Sequence, residues 1–314
     1  MRTCVIGFLF FLGVNMMPTT ALAQSCTFNT TSMVFSGNTL SGAPINSTAS
    51  LAVNCSAIAG AFRRILVCPN LNAGSSGSTA LGRTMTGPIP IVYNLYQEPA
   101  RQVVWGSWSW ASAPPEFMVD IPALLGRGSA TVTIYGQVLA NQKTAPPGSY
   151  SSQFSGAQTQ FRYRWDDGAG CSSSVGTQAT TDFTVSFQNT KQCFISAYDI
   201  DFGKHGILDS TIDEDGQVTV SCSPSTPYVV ALGSGGANAG PTARRMTKGS
   251  EFVTYGLYRN AARSLPWGAT DGADTVSGTG AGTAQNLPIY ARILPQTTPT
   301  PGVYSDTVIV TVTY

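Results

Sequence analysis

From residue 24 to residue 314 apolar and polar side chains alternate with a period of two, in short runs separated by Gly, Pro, Asn and Ser. Val218, Val220 and Cys222 fall on one face of such a run, with Thr219 and Ser221 on the other. Thr131 to Tyr135 alternates in the same way. No stretch keeps the helical period over the roughly twelve residues that a convincing helix needs. Short alternating runs with turn residues between them predict strands packed as an all-β sandwich.

The runs also repeat. Cys26-Thr27-Phe28 opens one copy and Cys193-Phe194-Ile195 another, and Cys55 and Cys222 follow at the same interval. Further along, Arg83-Thr84-Met85 echoes Arg244-Arg245-Met246, Tyr93-Asn94-Leu95-Tyr96 echoes Tyr255-Gly256-Leu257-Tyr258, and Trp105-Gly106 echoes Trp267-Gly268. Ile134-Tyr135 then matches Ile289-Tyr290, and Pro147-Gly148-Ser149-Tyr150 matches Pro301-Gly302-Val303-Tyr304. Landmarks in one order over the whole length mark an internal duplication. Two sandwiches are expected, over residues 24–190 and 191–314.

The copies end differently. Beyond Pro301-Gly302-Val303-Tyr304 the second has one further strand, Thr307 to Tyr314, with Val308, Val310, Val312 and Tyr314 on one face. The first has an equivalent at Gln158 to Arg164, then a loop with Cys171, then the run Thr181 to Phe187 with Phe183, Val185 and Phe187 on one face. The second copy is therefore expected to lack a strand that the first has. A sandwich short of an edge strand exposes core side chains and unpaired backbone groups, so something must fill the groove. A shorter, closed variant of the fold is the alternative.

Composition narrows the class. Charged residues are 11% of the chain and the net charge is +1, which gives nucleic acid no electrostatic handhold. The N-terminus has Arg2, an apolar run from Val5 to Val14, and Ala21-Leu22-Ala23, the pattern of a signal peptide cleaved before Gln24. That run is too short to span a bilayer. Of seven cysteines, Cys4 would leave with residues 1–23; Cys26, Cys55, Cys68, Cys171, Cys193 and Cys222 would remain in an oxidising compartment, where an even number reads as disulfides. If equivalent cysteines pair, Cys26–Cys55 and Cys193–Cys222 each staple the opening strands of a copy, leaving Cys68–Cys171 to the first. His205 is the single histidine and no CxxC is present, so neither a metal site nor another cofactor is expected. Asp166-Asp167 and Asp213-Glu214-Asp215-Gly216 read as turn chemistry rather than acid–base pairs or a calcium loop. Arg63-Arg64, Arg162, Arg164 and Arg244-Arg245 read as strand-face or structural positions. No nucleophile, base or metal constellation supports an enzyme.

The second copy resembles the spore coat protein U family, whose members build archaic chaperone-usher pili. Its matching residues are Cys193, Phe202-Gly203, Cys222, Pro227-Tyr228, Arg245-Met246, Tyr255 to Tyr258, Trp267-Gly268, Tyr290, Pro301 to Asp306, and Val310 to Tyr314. The first copy matches more loosely. The resemblance implies two immunoglobulin-like domains, the second incomplete. A periplasmic pilus chaperone would lend it a strand at Val308, Val310, Val312 and Tyr314; a neighbouring pilin would replace that strand at the outer-membrane usher. Shaft pilins of the family carry a donor extension ahead of the first cysteine. After cleavage only Gln24 and Ser25 would precede Cys26 here, which implies a tip adhesin on the surface of a Gram-negative cell, holding hydrophobic or host surfaces and supporting biofilm formation. A shaft or basal pilin and a lectin-like glycan binder are the alternatives.

For the binding surface, the copies diverge after the shared Trp-Gly. The second continues with small polar residues from Ala269 to Asp274. The first carries Trp108, Trp110, Pro114, Pro115, Phe117 and Met118. Large apolar side chains where the sister copy has Gly and Asp predict an exposed contact patch. The competing reading alternates Trp108 and Trp110 along a strand into the core, beside Trp105. Ala57 to Phe62 is a second apolar loop.

Overall fold

The computed structural model describes residues 24–58, 61–123 and 126–314; the expected signal peptide, residues 1–23, lies outside them. Strands of the first half are β1 (Gln24–Thr30), β2 (Met33–Gly37), β3 (Ile45–Ala57), β4 (Arg63–Cys68), β5 (Arg83–Met85) and β6 (Ile91–Tyr96). They continue as β7 (Phe117–Ile121), β8 (Arg127–Val138), β9 (Gly148–Phe154), β10 (Phe161–Trp165), β11 (Thr177–Ala179) and β12 (Phe183–Asn189). The second half has β13 (Cys193–Ala197), β14 (Ile212–Cys222), β15 (Pro227–Leu232) and β16 (Arg244–Lys248). After these come β17 (Glu251–Tyr258), β18 (Val276–Thr279), β19 (Ala284–Ile293) and β20 (Val310–Thr313). The described residues contain no α-helix, as the period-two pattern predicts.

In the first half β1-β3-β8-β6-β5 form one layer, and β11-β10-β4-β7 together with β2-β12-β9 form the other. Their inner faces meet in one core: Leu51, Val53, Tyr93, Leu95 and Ile134 from the first layer, Ile65, Val67, Phe161, Val185 and Phe187 from the second. The second half repeats the first layer as β13-β14-β19-β17-β16 but answers it with only β18-β15-β20. Its core is separate, built on Val218, Val220, Val230, Leu257, Trp267 and Ala291.

Three disulfides brace the strands: Cys26–Cys55, Cys68–Cys171 and Cys193–Cys222, the pairs that the repeat symmetry proposes. Cys26 and Cys193 stand directly across the ladder from Cys55 and Cys222, so each of these bonds clasps an opening antiparallel pair.

A second stitch occurs in both halves. Arg83 lies opposite Tyr93, and Arg244 opposite Tyr255. Both arginines are fully buried. Arg83 donates to the carbonyls of Leu71, Asn72 and Trp105 at 2.7, 2.8 and 2.6 Å. Arg244 donates to those of Leu232, Gly233 and Trp267 at 3.0, 2.8 and 2.8 Å. Burial lowers the pKa of both, that of Arg83 to about 10, so each is still a cation at neutral pH and is held by carbonyl dipoles. The indole Nε1–H of Trp105 and of Trp267 donates to the carbonyl of Pro69 and of Val230. The guanidinium thus ties the end of one layer to the loop that crosses to the other.

The halves join through Thr190, Lys191 and Gln192. The Thr190 N–H donates to the Gly37 carbonyl at 2.9 Å, and Gln192 exchanges hydrogen bonds with Ser223. The connection is therefore pinned at both ends.

β12 closes the first sandwich, with Val185 and Phe187 buried at 0 and 1% exposure. Phe187→Ala is expected to lower the stability of the first sandwich by about 3–5 kcal/mol through the cavity it leaves. Hydrogen exchange should then quicken along β2, β9 and β12 and stay unchanged along β14 and β19. Slow exchange on β9 in the variant would show that β12 does not hold the edge.

Candidate functional site

Among the described residues nothing in the second sandwich does what β12 does in the first. β12 runs antiparallel to β9, from Phe183 opposite Phe154 to Asn189 opposite Gly148, and parallel to β2, with Val185 beside Met33 and Phe187 beside Phe35. In the second sandwich the equivalent of β9 is residues 302–308, fixed by a shared bridge: Thr86 to Ser151 in one copy, Thr247 to Ser305 in the other. That bridge occupies one edge of 302–308. Among the described residues no strand pairs with the other edge. The equivalent of β2, residues 200–204, is likewise in no strand, because β2 pairs only with β12.

Burial follows the pairing. Met33, Phe35, Tyr150 and Phe154 are buried under β12, whereas their counterparts Ile200, Phe202, Tyr304 and Val308 are half-buried. These four pack against the second core and line an open groove. Tyr198 is 72% exposed on one rim. β20 is an edge strand too, paired only with β15 through Val230–Val312 and Leu232–Val310. Val308, Val310 and Val312 all contact the core from this edge, while Tyr314 is half exposed.

One carboxylate sits at the middle of the groove. Asp306 accepts the Tyr255 hydroxyl at 2.7 Å and the N–H groups of Gly236 and Thr307 at 2.7 and 2.8 Å. The Tyr255 pKa is pushed up, first by burial and then by this hydrogen bond to an anion. The first sandwich has Ser152 at this position, 1% exposed and opposite Val185.

The tryptophan loop of the first sandwich differs from expectation. Trp108 is half-buried; its indole N–H donates to the Cys171 carbonyl at 2.9 Å, and with Met118 it covers the cluster of Leu66, Cys68 and Cys171. The Trp110 ring lies 4.4 Å from the guanidinium carbon of Arg83, over a cation whose Nη1 has no hydrogen-bond partner. Pro114 is buried, Pro115 is half-buried, and Phe117 packs on the main core from β7. The six residues therefore form a cover rather than a protruding patch. The physical reason is that the first sandwich has two features to cover that the second lacks: the extra disulfide, and a buried arginine without the carboxylates Asp306 and Asp274 that act on Arg244.

Exposed apolar side chains gather elsewhere. Register places the β3–β4, β7–β8 and β10–β11 loops at one end of the first sandwich, since Ser56 faces Arg127, Arg63 faces Ile121 and Ile65 faces Trp165. Asn189, which leads to the second sandwich, is at the other end. Around those loops Ile58, Phe62 and Val175 are 74, 60 and 60% exposed. Of the second candidate loop, Ala57 is buried, Ile58 and Phe62 are exposed, and residues 59 and 60 fall outside the described residues. Beside it, on the outer face of β1, β3 and β8, a shallow recess of about 490 Å³ is lined by polar residues including Ser25, Thr27, Asn54, Ser56 and Arg127. Among the described residues no cluster of His, Cys, Asp and Glu is placed to hold a metal. Asp213 and Asp215 pair with Arg263 and Arg292 across strands.

The profile of the Spore Coat Protein U domain family matches residues 13–155 and again residues 179–311. Among solved structures, the chain is similar in fold to a chain of the CsuC–CsuE chaperone–tip adhesion subunit pre-assembly complex from archaic chaperone-usher Csu pili of Acinetobacter baumannii. The match has a TM-score of 0.56 and 17% identity, covering 93% of this chain and 100% of that chain. It is also similar to the CupB6 tip adhesin from Pseudomonas aeruginosa, with a TM-score of 0.41 and 14% identity over 91% of this chain and 93% of that chain. No curated protein matches it by sequence.

Burial separates the two apolar clusters by experiment. Trp108→Ser and Trp110→Ser are each expected to cost about 2 kcal/mol or more in urea denaturation, because they uncover a disulfide and a buried cation. Ile58→Ser and Phe62→Ser should each stay within about 0.5 kcal/mol of the parent. Equal tolerance at all four positions would return the tryptophans to the surface.

Proposed function

The chain belongs to the Spore Coat Protein U domain family, and we propose that it is the tip adhesin of a chaperone-usher pilus. In this reading residues 24–190 are an adhesin domain and residues 191–314 a pilin domain. The observation that carries it is the open groove along residues 200–204 and 302–313, in a chain whose other sandwich fills the same place with its own strand. Unpaired strand edges and half-buried core side chains are costly to leave in water, and an added strand satisfies both at once. A periplasmic chaperone supplies that strand first; at the usher a neighbouring pilin takes over. The first domain, complete in itself, accepts nothing and points outward.

Support for the tip position comes from the far end of that first domain. Ile58, Phe62 and Val175 are exposed at the end opposite the junction with the second domain, where a contact surface would be presented to a hydrophobic or host surface. Burying such side chains yields roughly 1.5–3 kcal/mol each, and many pili per cell multiply a weak contact by avidity into stable attachment and biofilm. The CsuE subunit, in the complex to which this fold is similar, is itself a tip adhesion subunit. A second reading, a glycan-binding adhesin, draws on the polar recess near Arg127.

Co-expression with the cognate chaperone should give a one-to-one complex in which amides of 200–204 and 302–313 become protected from exchange. A complex that leaves both edges unprotected would remove the strand-accepting role. In piliated cells the triple change of Ile58, Phe62 and Val175 to Ser is expected to abolish attachment to plastic at unchanged piliation. Normal attachment by that strain, combined with glycan-array binding lost in Arg127→Ala, would favour the second reading.

A further inference from the structure

The filled groove of the first sandwich is a template for the occupant of the open one, and the two can be superposed residue by residue through ladder contacts. The N–H of Asn72 donates to the Gln158 carbonyl as that of Gly233 does to Ile309. The Thr86–Ser151 bridge corresponds to Thr247–Ser305. Counting from Cys26 and Cys193, Met33 and Phe35 correspond to Ile200 and Phe202. A strand lying in the second sandwich as β12 lies in the first would run antiparallel to 302–308 and parallel to 200–204. Alternate side chains would enter the groove opposite Val308, Asp306 and Tyr304.

The walls at these three places differ from the template in ways that set side-chain size. Phe183 stacks on Phe154, centroids 4.6 Å apart and planes within 10°; Val308 is smaller than Phe154 and leaves room for a large apolar group. Phe187 lies against Tyr150, stacked at 6.1 Å, and beside Phe35; Tyr304 and Phe202 keep both walls, so an aromatic side chain suits that place. The middle changes most. Val185 covers Ser152, whereas here Asp306 is larger and charged, with its oxygens bonded to Tyr255, Gly236 and Thr307. A branched apolar side chain laid over it would crowd the carboxylate and strip its remaining hydration.

We infer that the second sandwich selects an extended segment, antiparallel to residues 302–308, whose inward side chains read large apolar, small, aromatic, with the small residue over Asp306. The inference rests on the strand-accepting reading above and adds the orientation, register and chemistry of the partner.

The probes are synthetic peptides of residues 181–190 of this chain, with Val, Gly or Phe at position 185, added to the purified full-length protein. The Gly peptide should raise the melting temperature most and bind about tenfold more tightly than the Phe peptide. In Asp306→Ser protein the Val peptide should overtake the Gly peptide. A peptide with Cys at position 184 should cross-link to Thr307→Cys, since Thr184 faces Gln153 in the template, and one with Cys at position 186 should not. Equal binding of the Phe and Gly peptides, or cross-linking from position 186 alone, would overturn the register and size rule while leaving the groove an acceptor. If no peptide shifts the melting temperature or cross-links, the acceptor reading itself falls.

Discussion

A strand edge that is screened from water has to find backbone partners, and in this molecule the fate of one such edge decides the rest. An unpaired N–H or carbonyl that is also screened from water costs about as much as a lost hydrogen bond. In the first sandwich β12 satisfies the facing edges of β2 and β9 together, and its inward side chains complete the core. In the second, among the described residues, no strand pairs with the corresponding two edges. The consequences spread from there: β2 is a strand while residues 200–204 are not, and Tyr150 is buried while Tyr304 is half in water. The local sequences are alike. It is the partner that makes the secondary structure.

Where the edge is open, the rest of the sandwich must keep its shape without the missing layer. The disulfide at the opening strands and the buried arginine supply that rigidity in both copies. Arg244 holds four carbonyls from three separate segments, so residues around Trp267 and Leu232 are held in register without the missing strand. An aliphatic side chain there could fill the volume but not tie the loops. The first copy keeps the same arginine and exchanges its carboxylate neighbours for the face of Trp110, a cation–π contact that tolerates low dielectric.

Much of this was legible in the chain. Strand alternation, the duplication, the pairing of cysteines and the absent strand all follow from spacing, because each is a local pattern or a comparison of one copy with the other. The role of Trp108, Trp110, Phe117 and Met118 was not. Their apolar character is the same in a patch and in a cover, and what they cover, Cys171 and Arg83, is brought to them only by the fold. Arg83 itself hides its burial, since a charged residue in a strand reads as solvent-facing until the carbonyls of Leu71, Asn72 and Trp105 converge on it. The groove, by contrast, was visible as a difference between two near-copies, a signal that survives without any knowledge of tertiary contacts.

The connection through Thr190, Lys191 and Gln192 has a mechanical meaning. In the proposed tip role, tension between a fibre at the second sandwich and a surface at Ile58 and Phe62 would enter the first sandwich at Asn189, the last residue of β12. β12 is held on both sides, by seven ladder positions against β9, from Phe183–Phe154 to Asn189–Gly148, and by β2 on its other edge. A pull along the strand loads all these hydrogen bonds together, in shear, instead of peeling them one after another. In that role the strand that closes the core would also be the tendon of the molecule, since the pairing that completes the fold is the one that resists a pull along it.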